Sequence, residues 1–384
     1  MMEDRKVRIA INGLGRIGRQ ALKAMLGMSD DMRMKLSPRI DPEKIEVVAV
    51  NDLSDARVMA HLIRFDSIYG RYDREILVEH NGETIDWEGF TKSSDHMSEL
   101  VPGGETYFVI TGKRIRVFAE KDPHNIPWKE LDIDVVIECT GVFTKYTDAK
   151  AHLEAGAKRV LISAPAKGEE GVEGKTLVFG TEAMDQYSGN LEIFSNASCT
   201  TNCISPVLQV LESQFGIEKA MMSTVHAYTA SQGLVDGPNK KDIREGRAGA
   251  INIIPAATGA DAAVGSVLPK LKNSFDGMAL RVPVPDGSIA DITAILKTDV
   301  TVDIVQQAFI DAAETSFYKD LLIASREPLV SSDIIGNPAS SIVDLDFIRV
   351  AGGNMVKVLA WYDNEWGYTN RLVEMAVHVA RFSH

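Results

Sequence analysis

Val7-Arg8-Ile9-Ala10-Ile11-Asn12-Gly13-Leu14-Gly15-Arg16-Ile17-Gly18-Arg19 lies close to the start of the chain. Its short apolar run reads as a strand buried in a parallel sheet. The apolar residues spaced along Ile17–Leu26 read as the helix that follows. Between them, Gly13-x-Gly15-x-x-Gly18 divides three tasks. One glycine permits the tight turn, one lets the backbone approach a pyrophosphate, and one lets the helix pack closely on the strand. The helix N-terminus then faces the phosphates. A lone GxGxxG says little, but the strand before it and the helix after it make it a dinucleotide fingerprint. That fingerprint needs an acidic residue at the end of a second strand. Glu46-Val47-Val48-Ala49-Val50-Asn51-Asp52 supplies Asp52 for the adenosine ribose hydroxyls. The gap from Gly18 to Asp52 exceeds the usual spacing of about 20 residues. The excess falls in Met28–Lys44, a polar, Pro-containing stretch that reads as an inserted surface loop.

Working outward, Asp134–Cys139 reads as a buried strand and Tyr146–Ala155 as a helix stopped at Gly156. Arg159–Ile162 is the next strand. Alternating strands and helices predict a parallel sheet. Between Arg71 and Glu120 the pattern changes to short β-like runs, Thr106–Ile110 and Ile115–Glu120, with Trp87–Gly104 as a second insertion. Beyond residue 199 come a helix, Thr200–Phe215, and strand-like runs Ala220–Val225, Ala279–Val284 and Ile289–Leu296. A further helix spans Val302–Glu314, and an amphipathic one runs from about Asn370 to Phe382. This half reads as a mostly antiparallel sheet covered by helices.

The 384 residues suit two domains or one large one, and 45% hydrophobic content is ordinary for a globular protein. No apolar run approaches the roughly 18 residues of a membrane span. The first residues lack the apolar core of a signal peptide, so a cytoplasmic location is expected. Three cysteines are too few for a disulfide framework, and no ligand spacing for zinc accompanies them. A net charge of −13 argues against general nucleic-acid affinity. It leaves room for a local basic site that takes an anionic substrate.

Ser195-Asn196-Ala197-Ser198-Cys199-Thr200-Thr201-Asn202-Cys203 places a thiol at the start of a helix, where free N–H groups and the positive dipole end favour a thiolate. Downstream, Thr224-Val225-His226 offers a base at the end of a strand-like run. Cys203 lies one helical turn beyond Cys199 and reads as structural. A Cys199–Cys203 disulfide would distort the helix. His61, His80, His96 and His384 have no comparable context.

At this point the chain resembles the phosphorylating glyceraldehyde-3-phosphate dehydrogenases. The resemblance runs from Val7 to the C-terminal helix. It rests on Ile11–Arg19, Ser195–Cys203, Leu234-Val235-Asp236-Gly237-Pro238, Ile253–Ala260, Met278-Ala279-Leu280-Arg281-Val282-Pro283 and Trp361–Tyr368. The fold it implies is α/β: a Rossmann-type parallel-sheet NAD domain, 1–198, completed by a C-terminal helix at about 365–384. An α+β catalytic domain, 199–364, carries the mostly antiparallel sheet.

The resemblance implies Cys199 as nucleophile and His226 as base. The thiolate adds to an aldehyde, hydride leaves the adduct for NAD, and a thioester remains that can pass its acyl group on. Thr229 and Arg281 match the residues for the substrate's phosphate. Ser198, Thr200, Thr258 and Gly259 match those for inorganic phosphate, with Arg247 close by. Hydroxyls, a Gly N–H and arginine forks are suitable oxyanion donors. Gly13, Gly15, Arg16, Ile17, Gly18, Asp52, Thr140, Gly141, Phe143 and Ser163 match the cofactor path. Asn364 matches the partner of the nicotinamide carboxamide, with Tyr368 nearby. Cys139 stands where the family often has Ser. Asp52 would repel a 2′-phosphate, which favours NAD over NADP. Gly237-Pro238 agrees with that preference. Leu53-Ser54 and Arg57 are the residues through which a 2′-phosphate could still be accommodated.

The implied reaction is oxidation of glyceraldehyde 3-phosphate with inorganic phosphate to 1,3-bisphosphoglycerate, in a homotetramer whose 228–252 loop reaches a neighbour's cofactor. No membrane or nucleic-acid partner is expected. Two other readings stay open. Erythrose-4-phosphate dehydrogenase shares the fold and the Cys/His pair but releases a free acid. It departs at the phosphate positions, where this chain keeps Thr229 and Thr258-Gly259. A non-catalytic binding protein on this fold is the second, and the presence of Cys199 and His226 weighs against it.

Overall fold

A computed structural model describes residues 5–28, 33–85, 104–240 and 242–382. The chain divides into two compact units. The first comprises Met1–Lys175, Gly189–Asn196 and Leu372–His384, and the second Thr176–Ser188 and Ala197–Arg371.

The first unit is built on a sheet whose strands run in the order Ile193–Ser195, Arg159–Ile162, Val135–Glu138, Val7–Asn12, Ile45–Asn51, Lys113–Phe118, Thr106–Ile110, Ile76–His80 and Glu83–Ile85. The pairings from Ile193–Ser195 to Lys113–Phe118 are parallel. Those beyond are antiparallel. Val7–Asn12 lies inside the sheet, and Ile9, Ala10 and Ile11 are fully buried, as a run covered on both faces must be. The Arg16–Leu26 helix follows it. At Gly13 the backbone turns with φ +95°, and an added Cβ would lie 2.8 Å from Cys139 C and Thr140 N. At Gly18 a Cβ would meet Gly13 O at 2.0 Å, so helix and turn approach as closely as only glycine allows. Around the Gly15 Cβ position there is open space.

The described part of Met28–Lys44 is the exposed loop expected, but three of its side chains turn inward. Met34, Ser37 and Ile40 are buried, and Arg39 Nε reaches Glu374 Oε2 at 3.2 Å. Two apolar side chains in a polar stretch are enough to seat it on the core. Residues 29–32, and Trp87–Gly104 apart from Gly104, lie outside the described residues.

The second unit's sheet runs Ile254–Ala257, Phe275–Val282, Ile217–Ala227, Ser288–Leu296, Met355–Tyr362, Ser341–Ala351 and Leu322–Ser325. Most pairings are antiparallel. Ile217–Ala227 with Phe275–Val282 and Leu322–Ser325 with Ser341–Ala351 are parallel. The strand expected over Ala279–Val284 stops at Val282, because Pro283 has no N–H for the ladder. The Cys199–Phe215, Ala260–Val267 and Val302–Glu314 helices contribute to one apolar core with Met222, Ile292 and Val358 of the sheet. The last helix, Trp366–Val379, starts before Asn370 because Asp363 Oδ1 accepts the N–H groups of Glu365 and Trp366. Among the described residues no helix is long and apolar enough to cross a membrane.

Candidate active site

In the first unit, loops at the C-terminal ends of four parallel strands enclose a groove of about 740 Å³. It is lined by Gly13, Gly15, Asp52, Thr140 and Phe143 of the predicted residues. This is where open α/β sheets bind ligands. Asp52 is fixed by accepting the Leu14 N–H on Oδ2 (2.8 Å) and the Ser54 N–H on Oδ1 (2.9 Å). Arg57 is committed to Asp55 through Nε and Nη2, at 3.0 and 2.7 Å, and is buried. Its fork is therefore held away from a 2′-phosphate. The Arg16 guanidinium pairs with the buried Asp66 carboxylate at 2.7 Å, beside Gln20 Nε2 at 2.7 Å. Any phosphate contact by Arg16 then falls to its backbone N–H at the helix start. Arg16, Ile17, Gly18, Gly141 and Ser163 are not among the described lining residues. The Ser163 N–H donates to Glu138 O.

The sequence reading missed Asn12, Asn51 and the wall Glu120-Lys121-Asp122-Pro123. The signal was topological. Lys113–Phe118 pairs in parallel with Ile45–Asn51, so the loop after it opens on the same side as Asp52. Cys139 also lines the groove, and burial pushes its thiol up to about 12, which leaves it inert. The groove fits a dinucleotide. Its glycine turn leaves the Gly15 face open, its helix start presents N–H groups, and an anchored carboxylate, Asp52, stands at the end of the second strand.

In the second unit, Cys199 begins its helix and Ser198 caps it. Ser198 Oγ accepts the Thr201 N–H at 3.0 Å. Ala197 just before it has φ +55°, a left-handed conformation costly for a residue with a Cβ. Tyr368 helps hold that turn by donating from its hydroxyl to Ala197 O at 3.0 Å. Cys199 Sγ lies 3.4 Å from His226 Nε2. His226 and Arg281 are direct partners on adjacent strands. That register explains why Arg281 Nη1 reaches His226 Nδ1 at 2.6 Å, where Ala227 O also lies at 2.7 Å.

The electrostatics follow from burial. Half-buried among packed side chains, the Cys199 thiol is pushed up by loss of water, against the pull of Arg281 and of the Thr200 hydroxyl and N–H. Burial and then the Arg281 charge bring His226 down to about 3, against the Ala227 carbonyl. The imidazole is thus neutral, as a base must be. Tyr362 is a further residue the sequence reading left without a role. Its buried hydroxyl bridges Thr200 Oγ1 (3.0 Å) and Thr224 Oγ1 (2.8 Å), and its ring stands edge-on to His226. Burial pushes its own pKa well up.

Besides Arg281, the residues expected to meet anions differ in how they are engaged. Ser198 and Thr200 have hydroxyls engaged by the cap and by Tyr362. Gly259 precedes the Ala260–Val267 helix with no side-chain cap, and Thr258 Oγ1 accepts the Ala260 N–H at 3.2 Å. Thr229 Oγ1 contacts Ser231 Oγ, and the exposed Arg247 pairs with Asp236 at 2.8 Å. A surface pair of that kind is weak enough to be redirected. Asn364 Oδ1 accepts from Ser288 Oγ at 2.6 Å, which orients its amide. Cys203 is fully buried, and burial pushes its thiol far up.

Known proteins match this chain along nearly its whole length. The sequence profile described as "Glyceraldehyde 3-phosphate dehydrogenase, NAD binding domain" matches residues 7–96 and 90–146, and that described as the C-terminal domain matches 198–364. A glyceraldehyde-3-phosphate dehydrogenase of Streptomyces coelicolor is 46% identical over 374 residues, covering 97% of this chain and 98% of its own. One of Geobacillus stearothermophilus is 46% identical over 375 residues, with 97% and 98% covered. Glyceraldehyde-3-phosphate dehydrogenase 2 of Bacillus subtilis is 45% identical over 377 residues, with 98% and 97% covered. With its nucleotide groove and its Cys–His pair, the chain belongs to the glyceraldehyde-3-phosphate dehydrogenase family.

Proposed function

We propose that this protein is an NAD-dependent, phosphorylating glyceraldehyde-3-phosphate dehydrogenase that works through a thioester on Cys199. The carrying observation is the 3.4 Å contact between a thiol at a helix start and a buried, neutral imidazole. Arg281 is the first actor. A guanidinium has only N–H groups, so at 2.6 Å it donates to His226 Nδ1. While Arg281 donates there, the ring proton sits on Nε2; when the substrate's phosphate draws Arg281 to itself, Nδ1 takes a proton from solvent and donates it to Ala227 O, and Nε2 gives its own proton to solvent. Nε2 is then bare and takes the thiol proton as Sγ attacks the carbonyl. Nε2 next returns a proton to the oxygen of the hemithioacetal and takes it back as the carbon is oxidised. Bound NAD supplies the hydride acceptor. An oxygen of inorganic phosphate, held at Thr258 and the Gly259 N–H, attacks the thioester and releases an acyl phosphate and the Cys199 sulfur.

The test is to mix protein, NAD and aldehyde without phosphate and map the acyl adduct by mass spectrometry. The adduct is expected on Cys199 and absent in Cys199→Ser, which still binds NAD. Full activity in Cys199→Ser removes the thioester.

The same reading makes the protein a cytoplasmic homotetramer, where Cys199 stays reduced. Leu234, Val235, Ile243, Ile251 and Ile253 support the assembly. These large apolar side chains are exposed along one loop region, the kind of surface a partner subunit covers.

A further inference from the structure

Behind the groove a chain of buried polar side chains runs from Trp128 to Asn51. Trp128 Nε1 lies 3.1 Å from His152 Nδ1, and His152 Nε2 lies 3.1 Å from Glu138 Oε2. Asn12 Nδ2 donates to the same Oε2 at 2.6 Å, and Asn51 Nδ2 donates to Asn12 Oδ1 at 2.7 Å. Asn51 also holds the backbone of Glu120 from both sides, donating to its carbonyl and accepting its N–H, each at 2.8 Å. On the other oxygen, Glu138 Oε1 accepts the Thr140 N–H at 2.7 Å and the Thr140 hydroxyl. Trp128, His152, Glu138, Asn12 and Asn51 are all buried.

The direction of both histidine bonds is fixed by chemistry, and Asn12 Nδ2 lies 3.4 Å from His152 Nε2 beside them. An indole N–H only donates, so His152 Nδ1 accepts and its ring proton is on Nε2, pointing at Glu138. Glu138 thus meets four donors from His152, Asn12 and Thr140. A carboxylate accepts on both oxygens, and its amide counterpart offers N–H groups to half of them. Asn12, Asn51, Glu120 and Thr140 all line the groove, and Phe143, another lining residue, packs edge-on against the His152 ring at 6.1 Å.

We infer that Glu138 and His152 are positioning residues for the dinucleotide. Buried behind the lining, they hold its separate loops in one register, and NAD affinity depends on them although neither lines the groove. This rests on the groove being the dinucleotide site.

The test compares NAD dissociation constants, KM and kcat for His152→Leu, His152→Gln, Glu138→Gln and Asp52→Ala. Leaving buried donors unmatched in His152→Leu or Glu138→Gln is expected to weaken NAD binding about tenfold. His152→Gln can accept from Trp128 and donate to Glu138, so it stays within about threefold of the parent. The kcat at saturating NAD and the KM for the aldehyde stay near the parent values, a split that general destabilisation does not give. A folded His152→Leu that binds NAD like the parent overturns the inference, as does a His152→Gln as weak as His152→Leu. Should His152→Leu not fold, Trp128→Phe removes only the indole donor. Its binding is expected to weaken about threefold, and unchanged binding overturns the inference. Asp52→Ala separates the two layers. If it leaves NAD affinity unchanged, the groove is not the dinucleotide site. If it weakens NAD while the His152 and Glu138 variants do not, only the positioning role fails.

Discussion

His226 and Cys199 are each driven by burial toward the neutral form, and that has a consequence for stability. In the unfolded chain a histidine takes its proton near 6.5, and in the fold His226 takes it only near 3. Between those values the unfolded chain binds one more proton. Stability is therefore complete above about 6.5 and is lost as pH falls toward 3, by ~1 kcal/mol per pH unit. His226→Asn cannot take that proton. Its unfolding midpoint, followed from pH 7 to 4, is expected to fall less steeply than the parent's. Parallel slopes would mean that His226 is not buried neutral. The same substitution removes the base and is expected to lower turnover by about 10²–10⁴. The thiol, the histidine and the three glycines were legible in the sequence because each has a residue type that its task requires. The contact of Arg281 with His226 was not, since it depends on which strands pair and in what register.

At the scale of elements, the strand–turn–helix at Gly13–Gly18 makes a sharp distinction between two glycines. In Gly18→Ala the new methyl meets Gly13 O at 2.0 Å, so loss of about 3 kcal/mol of stability is expected in denaturant unfolding. In Gly15→Ala the methyl enters open space at φ −65°, so stability holds while NAD binding weakens. Equal behaviour of the two variants would contradict the division of tasks. Strand–helix alternation was readable from apolar spacing. The wall Glu120–Pro123 was not, because its place beside Asp52 comes from pairing between strands far apart in sequence. Met34 and Ile40 were hidden for a different reason: in a mostly polar stretch, isolated apolar residues carry no periodicity, and only the fold shows what they fill.

On the scale of the molecule, an excess of acidic residues, net −13, surrounds a chemistry that handles anions. On the proposed reading the anions are met locally, by arginine forks, hydroxyls and the helix start at Gly259 rather than by net charge. The thioester on Cys199 can end, on the proposed reading, as an acid or as an acyl phosphate. The outcome turns on whether the thioester meets water or a held phosphate. The most direct measurement is NADH formation from glyceraldehyde 3-phosphate and NAD, with and without inorganic phosphate. The account predicts turnover that depends strongly on phosphate and a stalled acyl-enzyme without it. Equal turnover in both conditions would contradict phosphorolysis at Thr258-Gly259 and point to hydrolysis of the thioester.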